Sequence, residues 1–318
     1  MKILILRFSS IGDIVLTTPV VRCLKTQLDD AEIHYATKEQ YKPILEINPY
    51  VDKFFFLKES LGDLVHDLKK ERYNAVIDLH NNLRTRIVKW RLGVRSYSFN
   101  KLNIEKWLMV TFKINQLPDL HIVDRYLEAT KSLGVKNDAL GLDYFIPEKD
   151  EMLWEWLPET HQKGFVAYAI GGQHETKKLP GSRMIELCQK INRPIILLGG
   201  KEDVENGELV RLAVGKEIIF NACGKLNLNQ SASLLKKSSC VFSHDTGLMH
   251  IAAALKKEVY SIWGNTVPAF GMYPYRTQYH ALENTTLNCR PCSKIGFNKC
   301  PRGHFKCMNE IKFDFNIR

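Results

Sequence analysis

The sequence has no apolar stretch that is long enough to cross a membrane, because a run of about 18 uninterrupted apolar residues never occurs. The apolar run at the amino terminus is too short for the core of a signal peptide, and an acidic residue follows it at Asp13. Neither secretion nor a transmembrane helix is expected, so the predicted location is the cytoplasm and any membrane contact is peripheral.

Glycine and proline are also scarce, at 19 and 12 of 318 residues, which excludes collagen-like and low-complexity proteins. Hydrophobic residues make up 45% and charged residues 25% of the chain, as in an ordinary globular protein. The length is about twice that of a typical domain, so we expect two domains with ample cores.

Acidic residues are outnumbered: 35 stand against 45 basic ones, and the resulting net charge of +10 indicates an anionic partner. Residues 156–318 contain 22 basic and 13 acidic side chains, which accounts for nine of the ten surplus charges. Residues 81–116 form a second basic segment, with eight basic residues and one acid. No helix-turn-helix or aromatic RNA-binding signature accompanies these charges, so nucleic acid is not the expected partner.

Short apolar runs alternate with stretches at helical spacing, which predicts an α/β fold with mainly parallel sheets. In the first half, strands are predicted at 3–6, 32–36, 53–56 and 75–79, with helices at 14–27, 42–47, 61–70 and 121–133 and from 83. In the second half, strands are predicted at 165–170, 194–198, 217–220, 240–243 and 259–262, with helices at 182–191, 204–214, 229–237 and 248–255. Residues 146–163 have the composition of a linker, so we assign domains 1–155 and 156–318.

Three widespread loop motifs are missing from these strand-to-helix turns. The chain has no G-x-G-x-x-G, which gives a dinucleotide-dependent oxidoreductase weak support. It also lacks the P-loop G-x-x-x-x-G-K-[ST] and the nucleophile elbow G-x-S-x-G. P-loop kinases and α/β-hydrolases are therefore not expected.

The loop R7-F-S-S-I-G-D13 directly follows the first predicted strand and precedes the first predicted helix. Ligands bind at such turns in open α/β folds. Gly12 permits a close approach of the backbone to a ligand, and Ser10 offers a hydroxyl. Asp13 is placed to accept a proton from a substrate hydroxyl; the alternative is an acid that caps or stabilises the helix start.

A second turn of this kind is S243-H-D-T-G-L-M-H250. Backbone amides at a helix start, together with Thr246 and Gly247, form an anion site that suits a diphosphate. We expect Asp245 to cap the helix and His250, one turn further on, to reach a phosphate or a ribose. The alternative for His250 is a packed core residue.

Two glycine pairs complete the set of candidate ligand loops. In G171-G-Q-H-E-T-K177-K-L-P180 the glycines let the chain turn beneath a ligand, and Lys177 or Lys178 offers a charge for a phosphate oxygen. The alternative is that the lysine pair is a solvated surface. In L198-G-G-K-E-D203 the side chain of Glu202 is a candidate to hold a ribose or a base edge.

Together these loops resemble glycosyltransferase family 9, the lipopolysaccharide heptosyltransferases. The resemblance is carried by R-F-S-S-I-G-D-I-V-L-T-T-P, by S-H-D-T-G-L-M-H-I-A-A-A-L and by G-G-x-H-x-T-K-K-L-P. Residues 78–86 (D-L-H-N-N-L-R-T-R) and 121–127 (H-I-V-D-R-Y-L) are also similar to that family. The similarity runs through nearly the whole chain, in the family's order and spacing.

The resemblance implies a GT-B fold, in which two Rossmann-like domains with parallel sheets face each other across a cleft. It also implies inverting transfer of a heptose or related sugar without a metal or other cofactor, with an ADP-sugar as the usual donor. Asp13 would be the general base that deprotonates the acceptor hydroxyl. A lysine and a helix amino terminus stabilise a pyrophosphate that leaves as an anion. The loops at 171–180 and 243–250 offer these two features.

The family's binding residues carry over to two sets of positions. The donor would lie against Gly172, Gln173, Lys177, Glu202, Asp245, Thr246, Gly247 and His250. The family has hydroxyl-bearing residues at two positions before the lysine, where this chain has Gly172 and Gln173. The acceptor, an anionic glycolipid of the lipopolysaccharide inner core, would lie against Ser10, Gly12, Arg84, Arg86, His121 and Arg125.

The basic segment that contains Arg84 and Arg86 is also a candidate for docking on an anionic leaflet. A basic residue near such a surface contributes roughly 1 kcal/mol of binding. Because the acceptor lipid sits in a bilayer, we predict peripheral contact with the cytoplasmic face of the inner membrane. The alternative for both arginines is a solvated helix face.

The carboxy-terminal segment contains a cluster of four cysteines, C289-R-P-C292-S-K-I-G-F-N-K-C300-P-R-G-H-F-K-C307. Cys289 and Cys292 form a C-x-x-C pair, and Cys300, Cys307 and His304 follow closely. The cluster resembles a small zinc knuckle, although its spacing differs from the standard pair of C-x-x-C motifs. Two alternatives for the four cysteines remain open: they bind a structural zinc ion, or they are free or paired thiols.

Two other functions compete with the heptosyltransferase hypothesis. One is a different GT-B nucleotide-sugar transferase, or an epimerase, that uses the same two-domain architecture with another donor. The other is a non-catalytic basic protein that binds nucleic acid through residues 84–113 and the tail.

Overall fold

The computed structural model describes residues 1–317, which form two compact units. Unit 1 comprises Met1–Lys101 and Leu120–Phe145, and unit 2 comprises Leu102–Asp119 and the chain from Ile146 onward. Strands and helices are numbered along the chain. No helix among residues 1–317 is both long and apolar enough to span a bilayer.

Unit 1 is a five-stranded parallel sheet with helices around it. Its central strand, K-I-L-I-L, is an almost continuous apolar run, as expected for a parallel strand that is covered on both faces. The strands are β1 (Lys2–Leu6), β2 (Glu32–Lys38), β3 (Lys53–Leu57), β4 (Ala75–Asp78) and β5 (Ser96–Ser98). The helices are α1 (Ile11–Val15), α2 (Thr18–Gln27), α3 (Leu61–Lys70), α4 (Leu83–Leu92) and α6 (Ile122–Glu128).

Unit 2 is a six-stranded parallel sheet of the same kind. Its strands are β6 (Val166–Ala169), β7 (Ile195–Leu198), β8 (Ile219–Asn221), β9 (Val241–His244), β10 (Val259–Trp263) and β11 (Tyr279–Glu283). Its helices are α5 (Asn103–Phe112), α7 (Glu159–Gln162), α8 (Gly181–Ile191), α9 (Val204–Val214), α10 (Leu228–Lys237), α11 (Gly247–Ala254) and α12 (Lys306–Asn309).

Both sheets have the strand order of the Rossmann fold. The order is β3-β2-β1-β4-β5 in unit 1 and β8-β7-β6-β9-β10-β11 in unit 2. In each sheet the order reverses beside the first strand, between β1 and β4 or between β6 and β9. Ligands bind at the carboxyl ends of the strands at such switch points, so the loops after β1, β4, β6 and β9 are the expected sites.

All nine predicted strands are present, with ends that differ by at most two residues. The predicted helix at 14–27 is divided into α1 and α2, since Pro19 at the second position of α2 favours a new helix start. The predicted helix at 42–47 is a 3-10 helix (Glu39–Ile44) that contains Pro43. Among the strands and α-helices, five elements were not predicted: the short β5, the edge strand β11, the exposed α5, and the one-turn helices α7 and α12.

The unit boundary differs from the predicted division at residue 155 in two places. Residues 146–155 belong to unit 2, where Asp150 accepts hydrogen bonds from Asn227 and Asn229 at 2.8 and 3.2 Å. This part of the predicted linker is therefore packed structure. Residues 102–119 also belong to unit 2, so the basic segment 81–116 is shared between the two units and is not one surface of the first.

Candidate functional site

Asp13 lies in the first turn of α1, in the loop that follows β1. Ser10 precedes this helix, and its backbone N–H and its hydroxyl both donate to Asp13 Oδ2, at 3.2 and 2.9 Å. The other carboxylate oxygen, Oδ1, lies 2.7 Å from Arg7 Nη2, and the Asp13 side chain remains 24% exposed. The carboxylate thus has the first-turn position of a helix-stabilising acid and is still accessible to a substrate hydroxyl.

Arg7 connects the Asp13 loop to two other parts of unit 1. Its guanidinium is buried and donates to the backbone oxygens of Ser9 and Leu79, at 2.8 and 2.5 Å, and to the hydroxyl of Tyr126 at 3.1 Å. A buried charge is stable only when it is paired and hydrogen-bonded, and Arg7 meets both conditions. The loop after β1, the end of β4 and helix α6 are therefore held together around one side chain.

The environment of Asp13 favours its ionised form. Burial opposes ionisation, but the charge of Arg7 and the hydrogen bonds from Ser10 outweigh it and hold the pKa of Asp13 below its usual value. The carboxyl group is therefore ionised at neutral pH, which is the state that a general base requires.

The motif at 78–86 builds the turn after β4. Asp78 Oδ1 accepts hydrogen bonds from the backbone N–H groups of His80 and Asn81, at 3.1 and 2.7 Å. Asp78 Oδ2 forms an ion pair with Lys89 at 2.8 Å, so this lysine of the basic segment has a protein partner. The ring of His80 lies 5.7 Å from that of Phe8, which brings this turn next to the β1 loop.

The predicted acceptor residues are placed in two different environments. Arg84 and Arg86 are exposed on α4. His121 and Arg125 are each only 2% exposed, and His121 caps α6 by accepting a hydrogen bond from the backbone N–H of Val123 at 3.1 Å. The buried pair belongs to the packing of α6, whereas the two arginines of α4 are accessible to a ligand.

Lys177 and Asp245 form the centre of a second site, at the switch point of unit 2. Lys177 Nζ lies 2.6 Å from Asp245 Oδ2, and the two side chains keep 16% and 11% of their surfaces exposed. Thr266, which follows β10, donates its hydroxyl to the same oxygen at 2.9 Å. Loops from three strands therefore meet at one ion pair, and a phosphate oxygen that approaches can replace the carboxylate as the partner of Lys177.

Helix α11 begins beside this ion pair. Thr246 is the N-cap residue and makes no side-chain capping bond, so the prediction that Asp245 caps the helix is wrong by one residue; its carboxylate instead binds Lys177. The free N–H groups and the positive dipole end of α11 favour an anion here. His250, one turn further on, is 2% exposed.

Gly172 lies against the same turn. A Cβ atom at this position would come within 3.1 Å of Lys178 Cγ and 3.6 Å of Thr246 Cγ2, so the absence of a side chain keeps this turn open. Gln173, the next residue, is exposed. Of the two positions without the family's hydroxyl groups, Gly172 thus lies next to the start of α11.

The structure buries Asp203, and not Glu202, against the two glycine loops, although the Glu202 carboxylate lies next to Gly200. Glu202 is exposed, whereas Asp203 is 1% exposed and its Oδ2 accepts from the backbone N–H of Gly200 at 3.0 Å. A Cβ on Gly171 would lie 2.7 Å from that oxygen, and one on Gly199 would lie 2.8 Å from it. Burial raises the pKa of Asp203. In the sequence, this contact of Asp203 with the glycines is indicated by the position of an acidic residue directly after G-G-K-E.

His244 fixes the ends of the loop that carries Lys177. It is fully buried, and its Nδ1 lies 3.0 Å from the backbone oxygen of Ile170, while its Nε2 accepts from the backbone N–H of Leu179 at 3.0 Å. These contacts assign the proton of the neutral ring to Nδ1. Burial lowers the pKa of His244 to about 4. No local sequence pattern indicates a role for this histidine, because only the fold brings it to both ends of the loop.

One further group of potential metal ligands is present among residues 1–317. The ligand atoms of Glu32, His34 and Glu71 lie within 4.8 Å of one another. Lys2 Nζ lies 2.8 Å from Glu71 and 3.2 Å from Glu32, and Lys53 also pairs with Glu71. Cations of the chain itself thus balance both carboxylates, so this group is an ion-pair network.

Comparisons with known proteins agree with this architecture. A family model described as glycosyltransferase family 9 (heptosyltransferase) matches residues 61–300. Lipopolysaccharide heptosyltransferase 1 of Campylobacter coli is 26% identical over 292 residues, which cover 84% of each chain. The structure of the glycosyl transferase family 9 from Veillonella parvula DSM 2008 has a TM-score of 0.71 at 22% identity and covers 89% of this chain and 86% of that one.

A second solved structure is E. coli heptosyltransferase WaaC with ADP-2-deoxy-2-fluoro heptose. It has a TM-score of 0.66 at 22% identity, and the match covers 88% of this chain and 93% of that chain. These structural likenesses confirm the GT-B fold class, and the family match defines a glycosyltransferase. More particularly, the chain belongs to glycosyltransferase family 9 (heptosyltransferase), as its sequence motifs predicted.

Proposed function

We propose that this chain is an inverting glycosyltransferase that moves a heptose from ADP-heptose to an anionic acceptor of the lipopolysaccharide inner core. The observation that supports the proposal is that Lys177, the start of α11 and Gly172 meet at the switch point of unit 2. The related E. coli enzyme holds an ADP-sugar analogue, and the Campylobacter coli relative is named for lipopolysaccharide.

In the proposed reaction Asp13 takes the proton of the acceptor hydroxyl. The oxygen attacks the anomeric carbon of the donor, the bond from that carbon to the diphosphate breaks, and ADP leaves with the electron pair. Lys177 and the amino terminus of α11 stabilise the negative charge that develops on the diphosphate. The reaction so written needs no divalent cation or other cofactor, and it inverts the anomeric configuration.

For the acceptor we propose phosphate or carboxylate binding by Arg84 and Arg86, which are exposed on α4. Guanidinium groups bind such anions through two parallel hydrogen bonds. Replacing both arginines with glutamine should raise KM for the acceptor and leave KM for the donor unchanged.

We further propose peripheral contact with the anionic cytoplasmic face of the inner membrane. On α4 the apolar side chains of Leu83 and Trp90 are 73% and 80% exposed. Helix α5 buries none of its residues, and Ile104, Trp107 and Phe112 are 71%, 52% and 56% exposed. Aromatic side chains next to basic residues are typical of surfaces that bind the headgroup region of a bilayer.

Flotation with vesicles tests the membrane contact. The protein should bind vesicles with anionic lipid more strongly than neutral ones, and Trp107→Ser should weaken the binding. Leu209 is a matched control, since it is 58% exposed on a different helix of unit 2, and Leu209→Ser should bind like the wild type. Equal flotation with neutral and anionic vesicles contradicts this part of the proposal.

The donor is tested by thermal shift with ADP, UDP, GDP and dTDP. ADP should stabilise the protein most, because a ligand that binds only the folded state raises the unfolding temperature. A stronger shift with another nucleotide would support a different donor. Product analysis with ADP-heptose and inner-core acceptor then tests transfer, and full activity of Asp13→Asn would favour an epimerase or another mechanism.

A further inference from the structure

His80 lies in the turn after β4, at the switch point of unit 1. β1 and β4 are neighbouring parallel strands in which Leu6 is paired with Asp78, so the loops that follow them meet at the carboxyl edge of the sheet. Within residues 78–86, Asp78 builds the turn and Arg84 and Arg86 are the proposed acceptor ligands. The side chain of His80 has neither of these roles.

The backbone next to His80 is fixed to the Asp13 site through Arg7. The preceding residue, Leu79, donates its N–H to Leu6 O at 3.1 Å and accepts from Arg7 Nη1 at 2.5 Å. Nη2 of the same guanidinium lies 2.7 Å from Asp13 Oδ1. The guanidinium is a rigid fork, so the carboxylate of Asp13 and the residue adjacent to His80 are held side by side.

The other end of the turn is fixed as well. Asp78 Oδ1 accepts from the backbone N–H groups of His80 and Asn81, at 3.1 and 2.7 Å, and Asn81 Nδ2 donates to Phe99 O at 3.1 Å. Asn81 has a φ of 46°, in the left-handed region that asparagine tolerates. None of these contacts uses the imidazole, so the turn does not depend on the side chain of His80.

The imidazole of His80 packs on an aromatic ring, and one of its nitrogen atoms has no partner. The ring lies 5.7 Å from that of Phe8, which is buried, at an angle of 48°. Nδ1 is buried and has no hydrogen-bond partner among residues 1–317, while the residue as a whole is partly exposed. A buried polar atom without a partner costs stability. Such atoms are rare, and a functional role is one reason for them.

The surroundings keep the imidazole neutral at physiological pH. Burial lowers the pKa of His80 to about 4, and the charges of Arg7 and Lys101 act in the same direction, against those of Asp13 and Asp78. A neutral imidazole has one N–H donor and one acceptor nitrogen. It therefore suits a hydroxyl group, which can both donate and accept, whereas an anion would favour the protonated ring.

We propose that His80 binds a hydroxyl of the acceptor sugar next to the hydroxyl that Asp13 deprotonates. This inference rests on the proposed function and adds a substrate contact to it. Asp13 and His80 would hold the sugar at two neighbouring points, and such orientation decides which hydroxyl reacts. His80 is thus an acceptor-binding residue that determines specificity, and it transfers no proton.

His80→Leu in the full-length protein tests the contact, because leucine keeps apolar bulk and removes both ring nitrogens. The kcat/KM for the acceptor should fall roughly tenfold, mainly through KM, as expected for the loss of one hydrogen bond. KM for the donor should not change. His80→Gln keeps a donor and an acceptor and should restore part of the loss. His66→Leu, which changes an exposed histidine of α3 in the same unit, is the matched control and should behave like the wild type.

Thermal unfolding distinguishes substrate binding from a structural role. His80→Leu removes the buried nitrogen that has no partner, so its unfolding temperature should equal or exceed that of the wild type. A structural role for the imidazole predicts the opposite sign. A clear decrease in the unfolding temperature of His80→Leu therefore overturns the proposal, and this measurement needs no substrate.

Acceptor analogues that each lack one hydroxyl identify the group that His80 binds. With the wild type, one analogue should lose about the same factor in kcat/KM as the substitution costs, and with His80→Leu that analogue should lose nothing further. Unchanged kinetics of His80→Leu, or equal losses in both proteins with every analogue, would contradict the contact and leave the proposed transfer intact. If the wild type transfers no heptose to an inner-core acceptor, the proposed function fails and the contact fails with it.

Discussion

Arg7 Nη2 lies 2.7 Å from Asp13 Oδ1, and this ion pair connects the proposed base to the framework of unit 1. The same guanidinium donates to Leu79 O and to the hydroxyl of Tyr126. If the carboxylate turned away from its loop, it would lose its ion pair with a guanidinium that is itself held at the end of β4 and by α6. The pair lowers the intrinsic basicity of Asp13, but it keeps the carboxyl ionised and oriented before substrate arrives.

Replacing Asp13 with asparagine should remove the proton acceptor and keep the size of the side chain. A positioned general base contributes roughly a hundred- to ten-thousandfold to a rate, so kcat should fall within that range. The stabilisation by ADP in a thermal shift assay should be unchanged, because Asp13 lies in unit 1 and the proposed nucleotide site in unit 2. A variant with wild-type kcat would remove Asp13 from the mechanism.

Replacing Arg7 with glutamine should move the acid limb of the kcat profile to higher pH. Arg7 holds the pKa of Asp13 below its usual value, and loss of its charge lets that pKa rise. The base form is then lost at a higher pH as the solution is acidified. Arg7→Lys keeps a charge and should restore part of the profile.

The control for Arg7 is KM for the donor, which should not change. A fall in kcat by the same factor at every pH would show that Arg7 acts only through folding. Thermal unfolding of both variants separates the two effects, since the lost bonds to Leu79 and Tyr126 also lower stability.

The sequence was sufficient to predict both candidate loops but not what holds them. Asp13 and Asp245 each follow an apolar run and precede a helix, so chain order alone places them at the carboxyl edge of a parallel sheet. The partners of Arg7 lie 72 and 119 residues away from it, and no local pattern indicates such contacts. Likewise, Glu202 and Asp203 are adjacent acids, and only the fold shows that Asp203 is the one that is buried against the glycines.

Two of the elements that were not predicted, β5 and α5, bury almost none of their residues. Strand β5 is S-Y-S with two exposed residues, and α5 buries none of its side chains. Periodicity reports which face is buried, so an exposed element leaves little signal. Residues 102–119 belong to unit 2 through contacts between residues that are far apart in the chain. One example is the hydrogen bond from Lys113 Nζ to Pro291 O at 2.7 Å.

Replacing Lys177 with alanine should weaken donor binding. A charge-assisted hydrogen bond to a phosphate contributes about 1.5 to 3 kcal/mol, so the Kd for ADP should rise roughly ten- to a hundredfold. The loss also leaves Asp245 without its cation and adds repulsion toward the diphosphate. Lys216→Ala removes an exposed lysine of the same unit and should bind ADP like the wild type. Isothermal titration checks both variants, and an unchanged Kd for Lys177→Ala would contradict the donor site.

The buried His244 should make folding sensitive to mild acid. Its folded-state pKa is about 4 against 6.5 for the exposed group, so between these values the unfolded chain binds a proton that the folded chain does not. Stability is therefore full above pH 6.5 and falls as the pH drops toward 4. The shift corresponds to about 3 kcal/mol at most.

His244→Gln removes this titration, so its free energy of unfolding should change less between pH 7 and pH 4.5 than that of the wild type, when both are measured by chemical denaturation. The variant should also be less stable at pH 7, because glutamine cannot reach both Ile170 O and the N–H of Leu179. Donor binding should weaken with it, since these two bonds set the ends of the Lys177 loop. The exposed His66 is the control, and His66→Gln should keep the full pH dependence. If His244→Gln keeps it as well, another group is responsible for the acid sensitivity.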